Sequence, residues 1–186
     1  MKILIVDNGS NYIDKIKTLL LPAQVEIVDY ATINIKDAAG FDAAILSGGH
    51  EFPVVGNAKK YKNEIDLIKR SEVPIFGICL GFELIANAFG AKLKRMGNKE
   101  HGIIDITVVN SDRIFANIPN FKVYESHRWV VKDAGEELTV LAKSKDGVEA
   151  FRHKTRPVYG VQFHPEMFIE KTCGDEILHN FIESIK

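Results

Sequence analysis

Val73-Pro74-Ile75-Phe76-Gly77-Ile78-Cys79-Leu80-Gly81-Phe82-Glu83-Leu84-Ile85-Ala86 begins as an apolar strand and ends as an apolar helix. Between the two lies a cysteine flanked by Gly77 and Gly81. This is the pattern of a nucleophile on a sharp strand-to-helix turn, where crowding against neighbouring backbone demands glycine. Cys79 then stands at the amino end of a helix starting at Leu80, where free N–H groups and the helix dipole favour thiolate over thiol. An ordinary buried cysteine after a core strand fits the same letters.

Upstream, Lys2 to Asp7 is a nearly all-apolar run, suited to a central parallel strand covered on both faces. Tyr12, Ile13, Ile16, Leu19 and Leu20 then fall at helical spacing, with Ser10 as the expected cap. Val25–Val28 and Phe41–Leu46 are further strands, the latter running into Ser47-Gly48-Gly49. Residues 57–70 have amphipathic spacing, with Ile65, Leu67 and Ile68 inward. Strand and helix alternate, which predicts an α/β fold with a doubly wound, mostly parallel central sheet. Ligands of such sheets bind at the carboxyl ends of strands, where both Ser47–Gly49 and Cys79 lie.

After Gly90 the rhythm changes. Residues 103–109, 122–125, 138–142, 148–152 and 158–163 are strand-like and separated by turns such as Asp133-Ala134-Gly135 and Lys145-Asp146-Gly147. They predict an added strand-rich layer, partly antiparallel, beside or extending the first sheet. A last helix over 174–185 presents Ile177, Leu178, Phe181, Ile182 and Ile185.

The 186 residues suffice for one domain, 1–186, and no repeat or linker divides them. Net charge is −1, so nothing draws the whole chain to nucleic acid or an anionic membrane. Two cysteines cannot make a disulfide framework. With no signal peptide and no long apolar run, a cytoplasmic location is expected. The basic run of Lys92, Lys94, Arg95 and Lys99 and the 59–62 cluster suit a solvated face.

A thiolate nucleophile needs a proton-shuttling partner, usually histidine. Of six histidines, His164 ends an apolar strand, Pro165 enforces an extended or turn conformation, and Glu166 stands close enough to orient the ring. Leu80 N–H is the natural first oxyanion donor, and Gly49 in Ser47-Gly48-Gly49 could supply the second. No Gly-Lys-Ser/Thr follows those glycines, so they form no Walker loop. The histidines and cysteines lack metal-finger spacing, and no metal is expected.

Gly77-Ile78-Cys79-Leu80-Gly81 and Gly160-Val161-Gln162-Phe163-His164-Pro165-Glu166 together resemble the two signatures of the class I, triad-type glutamine amidotransferases. The resemblance extends from Asp7-Asn8-Gly9 to the last helix. It implies a flavodoxin-like central sheet and glutamine hydrolysis. Cys79 would form a γ-glutamyl thioester, His164 would carry the proton to departing ammonia, and Glu166 would orient His164. Gly49 and Leu80 would hold the oxyanion, and ammonia would pass to a separate ATP-dependent synthetase. Within the family the chain is most similar to the separate glutaminase subunits of archaeal-type GMP synthases, through Asp7-Asn8-Gly9 with Tyr12, Glu149-Ala150, His153–Pro157 and Gly174–Phe181. The implied partner is therefore the ATP-pyrophosphatase subunit of GMP synthase, which would hold ATP and magnesium. The chain itself would hold no cofactor.

Three places depart from the family pattern. Phe82-Glu83 stands where His-Gln is usual, His50 where the third strand's loop usually has proline, and Ser126-His127-Arg128-Trp129 where Ser-His-x-Asp is usual. An aromatic residue at that last position is similar to the glutaminase of carbamoyl phosphate synthetase. Gly48, Glu83, Ser126, His127, Arg128 and Trp129 are nevertheless the implied contacts of glutamine's amino-acid end. Glu83 would accept from the α-ammonium, and backbone around Arg128 and Trp129 would hold the α-carboxylate. Three alternatives stay open: a hydrolase or peptidase for other γ-glutamyl compounds on the same scaffold, a glutaminase serving another synthetase, and a non-catalytic regulatory module.

Overall fold

A computed structural model of the chain describes residues 1–118 and 120–186. In chain order its elements are β1 (Lys2–Asp7), α1 (Ile13–Leu19), β2 (Gln24–Asp29), α2 (Ile35–Ala38), β3 (Ala43–Leu46), α3 (Lys62–Arg70), β4 (Ile75–Ile78) and α4 (Leu80–Ala88). There follow β5 (Lys92–Val108), a 3-10 turn (Arg113–Phe115), β6 (Asn120–Asp133), β7 (Leu138–Lys143), β8 (Val148–His153), β9 (Val158–Val161) and α5 (Gly174–Ser184).

Among the described residues the strands form one nine-stranded sheet in the order β2-β1-β3-β4-β9-β8-β6-β5-β7. β2, β1, β3, β4 and β9 pair in parallel. From β9 onward the pairing is antiparallel. β7 also pairs with β8, so the second half curls back on itself like a barrel. The strand-rich half therefore extends the parallel sheet.

The alternation of side chains along β1 shows why its run is apolar throughout. Leu4 and Val6 join a core with Ala38 of α2, Leu67 and Ile68 of α3 and Leu84 and Ile85 of α4. Ile3 and Ile5 point the other way, to Ile16 of α1 and Ile177, Leu178 and Phe181 of α5. A strand covered on both faces has no polar side to show. Full burial of each such side chain contributes about 1.5–3 kcal/mol. β5 behaves differently: only Ile106 is fully buried along it, and its polar residues alternate with half-buried ones.

Several local expectations are corrected. α1 is capped at Tyr12 with no side-chain bond, and Ser10 Oγ instead accepts from Tyr12 N–H in a turn. α3 starts only at Lys62, and the inward acid Glu64 is more deeply buried than Ile65. The basic run 92–99 belongs to a paired strand, and Ser126–Trp129 lies on β6. β5 and β6 lose register between Arg95 and Glu100, where Arg95 faces Trp129 and Glu100 faces His127.

The carboxyl ends of β3 and β4 meet at the first turn of α4. A Cβ on Gly81 would collide with the Leu46 carbonyl and come 2.7 Å from Leu46 Cβ; one on Gly77 would come 2.6 Å from the Gly81 carbonyl carbon. Gly81→Ala is expected to cost about 2–3 kcal/mol. Gly97→Ala, whose Cβ would meet nothing within 4 Å, should stay within about 0.5 kcal/mol. Urea unfolding of the two variants beside the parent checks the contrast.

Candidate active site

β4 ends at Ile78, and Cys79 caps α4 with φ 50° and ψ −98°, a reversed backbone rare for a side-chain-bearing residue. Such strain persists only where the surroundings enforce it. Cys79 N–H donates to Val161 O (2.9 Å) and Cys79 O accepts from Glu83 N–H (3.0 Å), so β9 and α4 fix the turn from both sides. Cys79 itself is buried.

His164 lies just beyond β9, its N–H donating to Tyr124 O of β6 (2.9 Å). Its Nδ1 faces Glu166 Oε1 at 2.8 Å in a buried pair. The edge of Tyr12 closes the ring from the far side, with centroids 5.9 Å apart. Gly48 packs against both His164 and Cys79: a Cβ there would lie 3.1 Å from His164 Cε1 and 3.6 Å from Cys79 Cβ. Nδ1 is committed to Glu166, which leaves Nε2 for the thiol.

Burial pushes the Cys79 thiol up, and His164 pulls it back only in part. Burial also opposes charge on His164, but Cys79 and Glu166 outweigh it and raise the imidazole to about 10. The two groups titrate as a coupled pair exchanging one proton. Glu166 holds the ring that shares this proton with sulfur.

The Ser47–Gly49 turn is clamped from behind. Ser47 O accepts from Asn8 Nδ2 (3.1 Å) and from Gly81 N–H (3.2 Å), tying the turn to β1 and to the nucleophile helix. Ser47 Oγ accepts from Asn8 N–H (2.9 Å) and donates to Gly48 O (2.8 Å). Asn8 Nδ2 also donates to Glu64 Oε1 (3.0 Å). A Cβ on Gly49 would overlap the Asn8 carbonyl. The N–H groups of Gly49 and Leu80 make no hydrogen bond among the described residues and remain available to an oxyanion.

Beside Cys79 opens a cleft of about 650 Å³. Gly49, Leu80 and Glu83 line it on one side, and Ser126, His127, Arg128 and Trp129 of β6 on the other. Every implied glutamine contact except Gly48 thus borders one cavity. Glu83 is buried, and burial pushes its carboxyl to about 8 against the pull of His127 and Gln162. His127 has little freedom: its Nδ1 is 2.8 Å from Trp129 O and its Nε2 faces the buried Glu125. Arg95 and Lys99 reach the rim at the β5 irregularity, so part of the run read as a solvated face borders the cleft. Phe82 turns into the core and stacks on Phe151 (4.4 Å, 23°). Sequence reasoning missed Asn8 and Glu64 as clamps. Their signals were the Asp-Asn-Gly strand end and a lone acid on the apolar face of α3.

The class I glutamine amidotransferase family matches residues 4–185, and the chain belongs to it. Among its relatives is the glutamine-hydrolyzing GMP synthase subunit of Pyrococcus abyssi, 37% identical over 96% of both chains. The corresponding subunit of Methanocaldococcus jannaschii is 38% identical over 96% of this chain and 95% of the relative. A crystal structure of a provisionally assigned GMP synthase subunit from Thermoplasma acidophilum superposes with TM-score 0.89 at 33% identity, covering 100% of this chain and 94% of that one. A Thermotoga maritima glutamine amidotransferase shares the fold, with TM-score 0.74 at 20% identity over 99% of this chain and 81% of the other. No helix among the described residues is long and apolar enough to cross a membrane.

Burial raises Glu64 to about 8, above an unfolded value near 4.5, and Asn8 pulls it back only in part. The native state therefore binds the extra proton, and Glu64 costs stability progressively as pH rises from about 4.5 through 8. Glu64→Gln keeps an acceptor for Asn8 and cannot ionise. It should shrink the fall in thermal midpoint between pH 5 and pH 8, as differential scanning fluorimetry would register.

Proposed function

We propose that the chain is the glutamine-hydrolysing subunit of a two-chain GMP synthase. The buried His164–Glu166 pair aimed at a cysteine held at positive φ carries this reading. Full-length similarity to the glutamine-hydrolyzing subunits of GMP synthases supports the choice of synthetase. We read the parallel half as a flavodoxin-like, doubly wound unit, with the cleft at the carboxyl ends of its strands.

Glutamine enters the cleft with its side-chain amide at Cys79. Sulfur attacks the amide carbon as His164 Nε2 takes the thiol proton, and Glu166 steadies the resulting imidazolium. The amide oxygen becomes an oxyanion facing Gly49 and Leu80 N–H, where preorganised donors are worth two to three orders of magnitude in rate. His164 returns its proton to the leaving nitrogen, the C–N bond breaks, and ammonia departs from a γ-glutamyl thioester. Water, deprotonated by His164, attacks the thioester, releases glutamate and restores the thiol. Glu83 takes the α-ammonium, and the backbone by Arg128 and Trp129 takes the α-carboxylate. Ammonia passes to a separate ATP-pyrophosphatase subunit, which holds ATP and magnesium and aminates XMP. The setting is a reducing cytoplasm, in which Cys79 and Cys173 stay free.

Unchecked hydrolysis would waste glutamine, so low basal turnover is expected, rising on addition of the synthetase subunit with ATP and XMP. Cys79→Ala should abolish glutamate release, and His164→Asn should lower kcat by at least about 10³-fold. Loss of neither, or preference for other γ-glutamyl amides in competition with glutamine, would overturn the assignment.

For Glu83 the expected signature is a rise in KM of about tenfold on replacement by Ala with kcat little changed, the mark of uniform binding. Glu83→Gln should stay within about threefold of the parent. Steady-state kinetics of the two variants measures the difference.

A further inference from the structure

Glu125 and His127, two residues apart on β6, point to the same face of the strand. Glu149 of β8 meets them there. One ligand atom from each lies within 4.8 Å of the others, and all three side chains are buried. Both oxygens of Glu125, Oε2 of Glu149 and Nε2 of His127 have no hydrogen-bond partner. Among the described residues no lysine or arginine pairs with either carboxylate.

The imidazole is oriented as a ligand would be. His127 Nδ1 is 2.8 Å from Trp129 O, which fixes the proton on Nδ1 and leaves the Nε2 lone pair for the cluster. Nε2 lies 3.0 Å from Glu125 Oε2 without forming a hydrogen bond to it. That separation is the span of two ligands about 2.1 Å from one ion at roughly a right angle. Ser144 Oγ donates to Glu149 Oε1 (2.6 Å), leaving Oε2 for the cluster. Glu125 and Glu149 lie close enough to share a proton and His127 Nε2 could carry another to Glu125, whereas one cation would replace both and join the three side chains directly.

We propose that Glu125, His127 and Glu149 bind one divalent first-row transition ion beneath the glutamine cleft. One histidine and two carboxylates suit Zn²⁺ or Mn²⁺, and the nitrogen ligand disfavours Mg²⁺. The site has a structural rationale independent of the catalytic reading. β6 carries the cleft residues Ser126 to Trp129, and among the described residues it pairs with β8 only at Val131 and Val148. An ion would staple them where the ladder is open and hold the strand that carries Ser126 to Trp129. Its path in is from the cleft, which His127 borders. Metal-finger spacing could not reveal such a site; its sequence sign is Glu-x-His on a strand.

Full-length chain stripped with chelator should bind Zn²⁺ and Mn²⁺ at one ion per chain by calorimetry, with a rise in thermal midpoint, and should bind Mg²⁺ at least about tenfold more weakly. Glu125→Gln and Glu149→Gln should each weaken Zn²⁺ binding by about 10–100-fold. Cys79→Ser/Cys173→Ser should leave it unchanged. With Co²⁺ the visible spectrum should show d–d bands of nitrogen and oxygen ligation and no thiolate charge-transfer band. The proposal is overturned if Zn²⁺ leaves the parent's thermal midpoint unmoved, if binding survives both Gln substitutions, or if a thiolate band appears. The midpoint and Co²⁺ tests use the parent chain and decide the matter even where a Gln variant fails to fold.

Discussion

The site depends on one close approach, that of the end of β3 to the first turn of α4. Gly77 and Gly81 carry no side chains because the turn leaves room for none, and the Ser47 carbonyl can therefore accept the Gly81 N–H. That single carbonyl also accepts from Asn8 at the end of β1. Two strand ends and a helix are thus joined at one oxygen. Cys79 is forced to positive φ, its sulfur is presented to His164, and the free N–H groups of Gly49 and Leu80 border the same cleft. A longer separation would relax the cysteine and move both donors. In preorganised sites such displacements cost far more in rate than in stability.

Buried carboxyls gather around this turn. Glu64, Glu83, Glu125, Glu149 and Glu166 are all almost fully buried, and desolvation is the main force pushing the first four upward. Folding does not require buried acids, and each one costs free energy unless matched. Their positions account for them. Glu64 braces the Ser47–Gly49 turn through Asn8, Glu166 holds the His164 ring, and Glu83 faces the cleft. Glu125 and Glu149 lie with His127 under the strand that forms the cleft's far wall. Stability is spent where the chemistry is, as expected of a site built on strain and desolvation.

What was legible from sequence was what local periodicity encodes. The apolar run 2–7, the strand–Cys–helix stretch and the helix 174–185 lie where expected, because burial on one or both faces leaves a direct pattern in the letters. The meeting of Cys79 and His164 was also legible, since both end apolar strands and parallel sheets bring such ends together. β5 was only half legible: its first part is polar, half exposed and interrupted by a register shift, so Lys92–Lys99 looked like a solvated face. The strand expected over 122–125 continues through Ser126–Trp129 to Asp133. The clamp by Asn8 and Glu64 spans 56 residues and leaves no periodic trace.

The pair Phe82-Glu83, where relatives of this family usually have His-Gln, looked like the weakest point of a glutamine site. The structure divides the pair. Successive helical residues point about 100° apart, so Phe82 enters the core against Phe151 while Glu83 borders the cleft. The first change is one of packing and leaves the pocket alone. The second is chemically small for a physical reason. Burial lifts the Glu83 carboxyl to about 8, so near neutrality it is largely the uncharged acid. A neutral carboxyl presents one carbonyl acceptor and one donor, as a glutamine amide presents an acceptor and donors, on a side chain of the same length. An ammonium arriving at that carbonyl favours ionisation and strengthens its own contact. Glutamate at this position therefore offers the cleft hydrogen-bonding groups close to those of glutamine.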